Sequence, residues 1–235
     1  VTISVVIPVL NEEGRISRAI TDSADLGFDE ILIVDGGSAD RTVALIEDHM
    51  RGGTPPAHPP LRLVFSAPGR ASQMNRGASA AQGDVLLFLH ADTQLPRSAR
   101  RSIENALSDR RAVGGRFDVG FDSPSAWAGT ISTFMNYRSR LTGICTGDQA
   151  IFVRSTVFRE MGGFADIPLM EDIEFSRRLK HHGKHVALRE RVTTSFRRWE
   201  RRGPLKTVLL MWALRSLYWL GVAPGRLHSW YGTVR

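Results

Sequence analysis

Four polar clusters in the chain carry residue types able to do chemistry: Asn11-Glu12-Glu13, Asp35-Gly36-Gly37-Ser38-Ala39-Asp40, His90-Ala91-Asp92 and Met170-Glu171-Asp172-Ile173-Glu174. His90 and Asp92 follow the apolar Phe88-Leu89, and residues two apart project to one side of an extended chain, so both can face one ligand. That pair suits a divalent cation bridging a diphosphate, since Mg2+ or Mn2+ takes oxygen ligands and keeps positions open for phosphate. Asp35 ends an apolar run, where an acid in a parallel sheet often accepts hydrogen bonds from a ribose. The carboxylates of Glu171, Asp172 and Glu174 offer a general base for a hydroxyl nucleophile. Each cluster also has a plainer reading. Asn11 to Glu13 and Glu171 to Glu174 suit helix starts, where acid complements the dipole, and Gly36 with Ser38 suits a turn and a cap.

The elements that must position these clusters follow from periodicity. Ile3–Val9, Ile31–Val34, Leu61–Phe65 and Val85–Leu89 read as strands, separated by helices with Ile16, Ala19 and Ile20, then Val43, Ile46 and Met50, then Met74, Ala78 and Ala81 facing inward. This order predicts a mostly parallel, Rossmann-like sheet with helices on both faces and a ligand crevice beyond the carboxyl ends of its strands. Residues 52–60 are proline-rich and read as a surface connection. Beyond residue 110 the pattern becomes mixed. Val113, Phe117, Val119 and Phe121 alternate, Trp127, Ile131, Phe134, Arg138 and Leu141 keep helical spacing, and Ala150–Val153 is a short strand. Ile173, Phe175 and Leu179 belong to a helix that Gly183 is expected to end. The apolar stretch Leu205–Val222 is interrupted by Lys206 and Arg215. It reads as a helix that covers the core edge or lies in a membrane interface with Trp212, Tyr218 and Trp219 as anchors, rather than as a membrane span.

The 235 residues, 42% hydrophobic and 23% charged, are enough for one globular domain. A formal net charge of +7 calls for an anionic partner. Cys145 is the single cysteine, which excludes an intramolecular disulfide and a cysteine metal cluster within the chain. That residue count and the lack of a secretory signal at the start point to a cytoplasmic location. No Gly-Xaa-Gly-Xaa-Xaa-Gly follows the first strand, so a dehydrogenase is excluded. A nucleotidyltransferase would need a basic glycine-rich loop where Asn11-Glu12-Glu13 stands, and a nucleic-acid binder would need a stacking platform that no aromatic cluster supplies. Arg197, Arg198, Arg201 and Arg202, with Trp199 among them, read as neutralising a diphosphate or an anionic lipid, or as a solvated face. Gly147, Asp148 and Gln149 read as lining an acceptor or as a polar loop.

In their order along the chain these residues resemble the family 2 glycosyltransferases of GT-A fold. The resemblance runs through Val5-Val6-Ile7-Pro8 with Asn11-Glu12, Ile33 to Ser38 with Asp40, Gly69-Arg70-Ala71 with Gln73 to Ala78, Leu87 to Thr93, Thr146 to Gln149, and Met170-Glu171-Asp172 with Glu174. It implies a catalytic domain over residues 1–200, with a nucleotide-binding half of about 1–95 and an acceptor half of about 96–200. Residues 201–235 would be a helical extension packed on that domain or on a membrane surface. The implied activity is inverting transfer of a sugar, a hexose in the typical case, from a nucleotide-diphosphate donor to an acceptor hydroxyl on a small molecule, glycan or lipid-linked molecule. By position, the resemblance places Pro8, Asn11, Glu12, Asp35 and Gly36 at the nucleoside, and Arg70 and Asn75 on the base and diphosphate side. His90-Ala91-Asp92 stands where the family carries Asp-Xaa-Asp, making Asp92 the ligand of Mn2+ or Mg2+ and His90 a second candidate. Asp172 matches the general base, with Glu171, Gly147, Asp148 and Gln149 on the acceptor side. The competing expectation is a non-catalytic nucleotide-sugar or membrane-surface binding module of the same fold. Peripheral attachment to the inner face of a membrane is expected if the C-terminal helix lies there.

Overall fold

The computed structural model of the chain describes residues 1–52 and 59–231, so most of the proline-rich connection expected at 52–60 lies outside the described residues. In the first half, apolar runs and helical stripes alternate: β1 (Ile3–Val9), α1 (Ile16–Ala24), β2 (Glu30–Asp35), α2 (Thr42–Arg51), β3 (Leu61–Phe65), α3 (Arg70–Ala80) and β4 (Val85–Phe88). The second half adds β5 (Thr93–Gln94), α4 (Ala99–Ser108), β6 (Ala112–Phe121), α5 (Ala126–Thr142), a 3-10 turn at Gly147–Gln149, β7 (Phe152–Arg154) and α6 (Ser155–Glu160). It closes with α7 (Glu171–Leu179), β8 (Lys184–Thr194), α8 (Arg197–Arg202), α9 (Pro204–Trp219) and α10 (Pro224–Tyr231).

The strands form one sheet in the order β3-β2-β1-β4-β7-β6-β8-β5. β3, β2, β1 and β4 run parallel, β7 is antiparallel to both β4 and β6, and β8 runs parallel to β6 and antiparallel to β5. The parallel half and the mixed half thus agree with the expected fold class. Both faces are covered, which is why β1 is apolar almost without interruption. Ile3, Val5, Ile7 and Val9 pack with Ile16 and Ile20 of α1, Ile46 of α2 and Ile103 of α4 on one face. Val6, Leu32 and Val34 pack with Met74 of α3, Phe158 of α6 and Phe175 of α7 on the other. Each such fully buried aliphatic side chain stabilises the fold by about 1.5–3 kcal/mol relative to exposure. Gly77 lets α3 sit close to the sheet, since a Cβ there would run into the side chains of Val6 and Val34. Pairing of Val9 with Asp35 and of Val6 with Phe88 brings the carboxyl ends of β1, β2 and β4 to one edge.

Several local expectations are corrected. Met50 is exposed, and α2 buries Thr42 and Ile46 instead. In β6, register shifts between Ala112 and Gly114 and between Arg116 and Asp118 break the alternation. Val113 therefore faces the α7 side, while Phe117 and Val119 face the α4 side, as a bulge dictates. The aromatic and leucine stripe of α5 is mostly outward, with Trp127, Phe134 and Leu141 exposed. Ile131 is buried as expected, but the rest of the inward face is small and polar: Asn136 accepts from the Val119 backbone N–H at 2.8 Å and donates to the Val119 carbonyl at 2.9 Å, fastening α5 to β6. The short strand begins at Phe152 rather than Ala150, which has a positive φ. α7 stops at Leu179, and Gly183, with a φ of 153°, instead opens β8 against Val113. Among the described residues no helix is long and apolar enough to cross a membrane. α9 and α10 pack Leu214 and Leu227 onto Ile144, Leu169, Met170 and Ile173.

Candidate active site

The loops after β1 and β2 are tied to each other before they meet any ligand. Asn11, in the left-handed region at φ 54°, donates its N–H to the Ser38 hydroxyl at 2.9 Å, and its side-chain oxygen accepts from the Ala39 N–H at 2.8 Å. Asp35 is 1% exposed, and its carboxylate accepts from the N–H groups of Gly37 at 2.8 Å and Ser38 at 3.0 Å. Ser38 does not cap α2: its hydroxyl holds Asn11, while at the start of that helix the Asp40 carboxylate accepts from the N–H of Thr42 at 2.9 Å. Gln73 donates from one amide to the carbonyls of Val9 and Val34 at 2.7 and 2.8 Å, clamping the two strand ends. A Cβ at Gly36 would sit 2.9 Å from that amide, so the glycine makes room for the clamp. The outcome is a rigid floor of backbone from Pro8 to Glu12.

Beyond β4 the chain carries His90 and Asp92 to the same edge. His90 Nδ1 lies 3.4 Å from Asp148 Oδ1, which links the β4 end to the 3-10 turn. The Gly147 N–H donates to Asp172 Oδ2 at 2.9 Å, linking that turn to the first turn of α7. Burial works against the Asp148 charge, but its contact with His90 and the charges of Arg198 and Arg70 outweigh it and hold its carboxyl well below the usual range. Glu171 is 5% exposed; burial, then the adjacent Asp172 charge, push its carboxyl above the ordinary value, with Arg70 opposing at 4.0 Å. Desolvation weighs against the Arg70 guanidinium, and Glu171 first among its carboxylate neighbours more than offsets this, raising its pKa.

Two cavities meet at this point. A polar crevice of about 450 Å³ lies over Pro8, Asn11, Glu12, Gln73, Ala91 and Asp92. A second, mainly apolar cavity of about 280 Å³ opens between α5 and α9 and contains Asp172, Glu171 and Gly147. His90, Asp148, Arg70 and Arg198 line both and form the wall between them.

The structure therefore brings together Pro8, Asn11, Glu12, Arg70, His90, Ala91, Asp92, Gly147, Asp148, Glu171 and Asp172. Asp35, Gly36, Asn75 and Gln149 line neither cavity. Asn75 exchanges hydrogen bonds with the backbone of Phe164 at 2.8 Å, and Gln149, fully buried, closes its own turn by accepting from the Thr146 N–H at 3.1 Å. Sequence reasoning did not place Arg138 and Arg215 at the site, yet both line the second cavity. The available signal was a guanidinium within each apolar helical stripe. Gln73 was also missed as a wall of the crevice, and its signal was a long amide one turn from Arg70.

The sheet order, with its parallel half, its antiparallel insertion and a crevice at the strand ends, defines a GT-A protein. Solved structures agree. The fold superimposes on S. aureus TarS 1-349 with a TM-score of 0.65 at 15% identity, covering 83% of this chain and 60% of that one. It also matches the mannosyltransferase PcManGT from Pyrobaculum calidifontis, solved with GDP-Man and Mn2+, with a TM-score of 0.63 at 19% identity, covering 81% and 56%. The sequence model described as glycosyl transferase family 2 matches residues 4–161. The chain belongs to that family. An undecaprenyl-phosphate 4-deoxy-4-formamido-L-arabinose transferase of Pectobacterium carotovorum subsp. carotovorum (strain PC1) is 35% identical over 118 residues, 48% of this chain and 36% of that protein. The chain spans about half or less of the length of the curated relatives it matches.

Proposed function

We propose that the protein is an inverting glycosyltransferase that moves a sugar from a nucleotide-diphosphate donor in the polar crevice to an acceptor hydroxyl in the second cavity. The observation that carries this reading is the shared wall of His90, Asp148, Arg70 and Arg198, with Asp172 on the far side of it. A donor lying over Pro8 to Glu12 would present its diphosphate to Arg70, Arg197 and Arg198, which line the crevice and can neutralise phosphate oxygens. On this reading residues 1–95 hold the donor, residues 96–200 carry the base, and the segment after residue 200 walls the acceptor cavity through Leu205, Met211 and Trp212.

The residues present fit a divalent cation held jointly with the diphosphate. Among the described residues no group of three His, Cys, Asp or Glu side chains forms a cage. The Asp92 carboxylate lies in the crevice, and its hydrogen bond from the Thr93 hydroxyl is long, at 3.4 Å. One carboxylate completed by phosphate oxygens and water is a normal Mg2+ or Mn2+ site. His90 is turned to Asp148, so Asp92 is the ligand this reading assigns. A cation there would act as a Lewis acid toward the charge developing on the departing diphosphate.

The chain's own groups do the rest. Asp172 Oδ2, held by the Gly147 N–H, takes the acceptor hydroxyl proton as its oxygen attacks the sugar C1. The C1–O bond to the diphosphate breaks on the opposite face, which inverts the anomeric centre. The test is Asp172→Asn, which keeps the shape and the donor pocket. Transfer should fall about 10²- to 10⁴-fold, the usual contribution of a general base, while nucleotide-sugar affinity by calorimetry stays within twofold. Transfer at the parent rate would remove the base assignment.

A further inference from the structure

The second cavity holds two cations that the donor reading does not use. Arg138 of α5 and Arg215 of α9 line it but do not line the polar crevice. Nε and Nη2 of Arg138 and Nε of Arg215 are sealed from solvent and have no hydrogen-bond partner among the described residues. Burial first, then the charge of Arg215, pull the Arg138 pKa down to about 10, and burial likewise lowers that of Arg215. Leaving two like charges with unpaired donors in a desolvated place is costly, and an anion placed between them would offset that cost. Asp172 acts on both at a distance, but its Oδ2 accepts from the Gly147 N–H.

Away from the wall shared with the crevice and from the Glu171-Asp172 turn, the lining of this cavity is mostly apolar. Trp127, Ile131 and Phe134 face Val208, Met211 and Trp212 across it, and Phe134 stacks on Trp212 with ring centroids 5.7 Å apart. At its mouth the apolar surface continues onto the outside of α9, where Leu205 and Leu209 are 56% and 61% exposed and Trp212 is 55% exposed. An apolar channel that leads from an exposed apolar helix face to paired guanidiniums, with a carboxylate beside them, has the polarity of one kind of molecule.

We infer that this cavity is the acceptor subsite and takes an anionic amphiphile, a lipid whose head group joins an acid group to a free hydroxyl. The acid group pairs with Arg138 and Arg215, the hydroxyl meets Asp172, and the chain lies against Trp127, Phe134 and Trp212. The inference rests on the transfer reading above and adds the acceptor class to it. In the reaction the lipid oxygen bonds to the sugar C1, the bond from C1 to the diphosphate oxygen breaks with its electron pair leaving on the nucleoside diphosphate, and the hydroxyl proton passes to Asp172. The acid group is unchanged, so the two arginines are anchors and not catalytic residues.

The experiment titrates the full chain with lysophosphatidylglycerol, which carries an acid phosphate and free hydroxyls, and with lysophosphatidylcholine, both below micelle formation, reading tryptophan emission. The parent should bind the glycerol lipid about tenfold tighter or more, the scale of a hydrogen bond to a charged group. Arg138→Met and Arg215→Met should each abolish that preference without lowering Tm, because each removes a poorly partnered charge. Arg189→Gln, which removes an exposed arginine from β8, should keep it and so separates anchoring from net charge. Equal affinity for the two lipids, or a preference that survives the double Arg138→Met, Arg215→Met variant, overturns the inference. Nucleotide released from a donor panel, both without lipid and with lysophosphatidylglycerol, is read separately. Lipid preference without any donor turnover keeps the lipid site and removes the transfer reading, whereas donor turnover without lipid preference removes the lipid site alone.

Discussion

Gly147→Ala tests the wall between the two cavities with a single methyl group. Gly147 has no backbone conformation that an alanine would resist, and the atoms a Cβ would meet are Cε1 and Nε2 of His90, both at 2.6 Å. Ordinary contact begins at 3.4 Å, so the imidazole must withdraw by several tenths of an ångström or the turn must shift. Either movement alters the His90 to Asp148 contact or the Gly147 N–H that holds Asp172. A misplacement of about 1 Å among reacting groups costs on the order of 10²-fold in rate, and a fall of about 10- to 100-fold in kcat/KM is therefore expected, with Tm changed by only a few degrees. The assay is nucleotide release from the nucleotide-sugar that the parent turns over, measured with acceptor. His90→Ala supplies the control, because it empties the space the new methyl group needs. In that background Gly147→Ala should cost less than twofold, a coupling that a double-mutant cycle reads directly. Full activity of Gly147→Ala, or an equal loss with and without the His90 ring, would refute the claim that this wall sets the reacting geometry.

Removing the proposed cation ligand with Asp92→Ala should weaken nucleotide-sugar affinity about tenfold or more in Mn2+ and leave little difference on chelation, whereas the parent should lose affinity when chelator is added; calorimetry with and without metal checks both. His185 is held neutral by burial, with Arg116 and Lys180 adding to the effect, at a pKa of about 4 against an ordinary 6.5. A lowered folded-state value means that its stabilising share is full above pH 6.5 and is lost as pH falls through 4. Urea unfolding should thus show about 2–3 kcal/mol less stability near the lower limit, and His185→Gln should flatten that slope. Cys145 is fully buried, and burial pushes its thiol up to about 11. It should stay unmodified by a thiol-specific disulfide reagent at about pH 8 and react at once in concentrated urea.

Much of this could be read from the residues, and the exceptions share one cause. Strand runs such as Ile3–Val9 are apolar because both faces of the sheet are covered, so periodicity alone places β1, β2 and β4 and with them the edge where His90 and Asp92 emerge. Side-chain direction failed where a local device intervenes. The register shifts in β6 send Val113 to the opposite face from Phe117, and no spacing rule sees a bulge. The outward stripe of α5 looked like a core face because its aromatics belong to a second cavity, for which α9, about seventy positions later, supplies the opposite wall. Asp35 and Asn75 look like ligand contacts in one dimension. In the folded chain the Asp35 carboxylate is engaged by Gly37 and Ser38 of its own turn, and the Asn75 amide by Phe164, a partner far along the chain that spacing does not show.

The turn Glu171 to Glu174 shows how partners can differentiate residues of one chemical type. Glu174 is gripped by Arg178 through two hydrogen bonds of 2.6 Å, and Arg178 also donates to the carbonyls of Met161 and Gly163, so this carboxylate organises the loop before α7. Glu171 is buried, its carboxyl driven toward the protonated form, with the Arg70 guanidinium at 4.0 Å. Burial and the neighbouring charge disfavour its ionised form. Asp172 alone both faces the apolar cavity and has its orientation fixed by a backbone donor, since the Gly147 N–H holds Oδ2 while the Ile173 N–H meets Oδ1 at 2.7 Å. Backbone N–H groups can orient a base without supplying the full neutralising charge of an arginine. A guanidinium in their place would favour the ionised carboxylate and weaken its pull on an acceptor proton. Arg138 and Arg215, the arginines that line the second cavity without also lining the crevice, sit on α5 and α9, where on the reading above they are available to an acceptor's own charge.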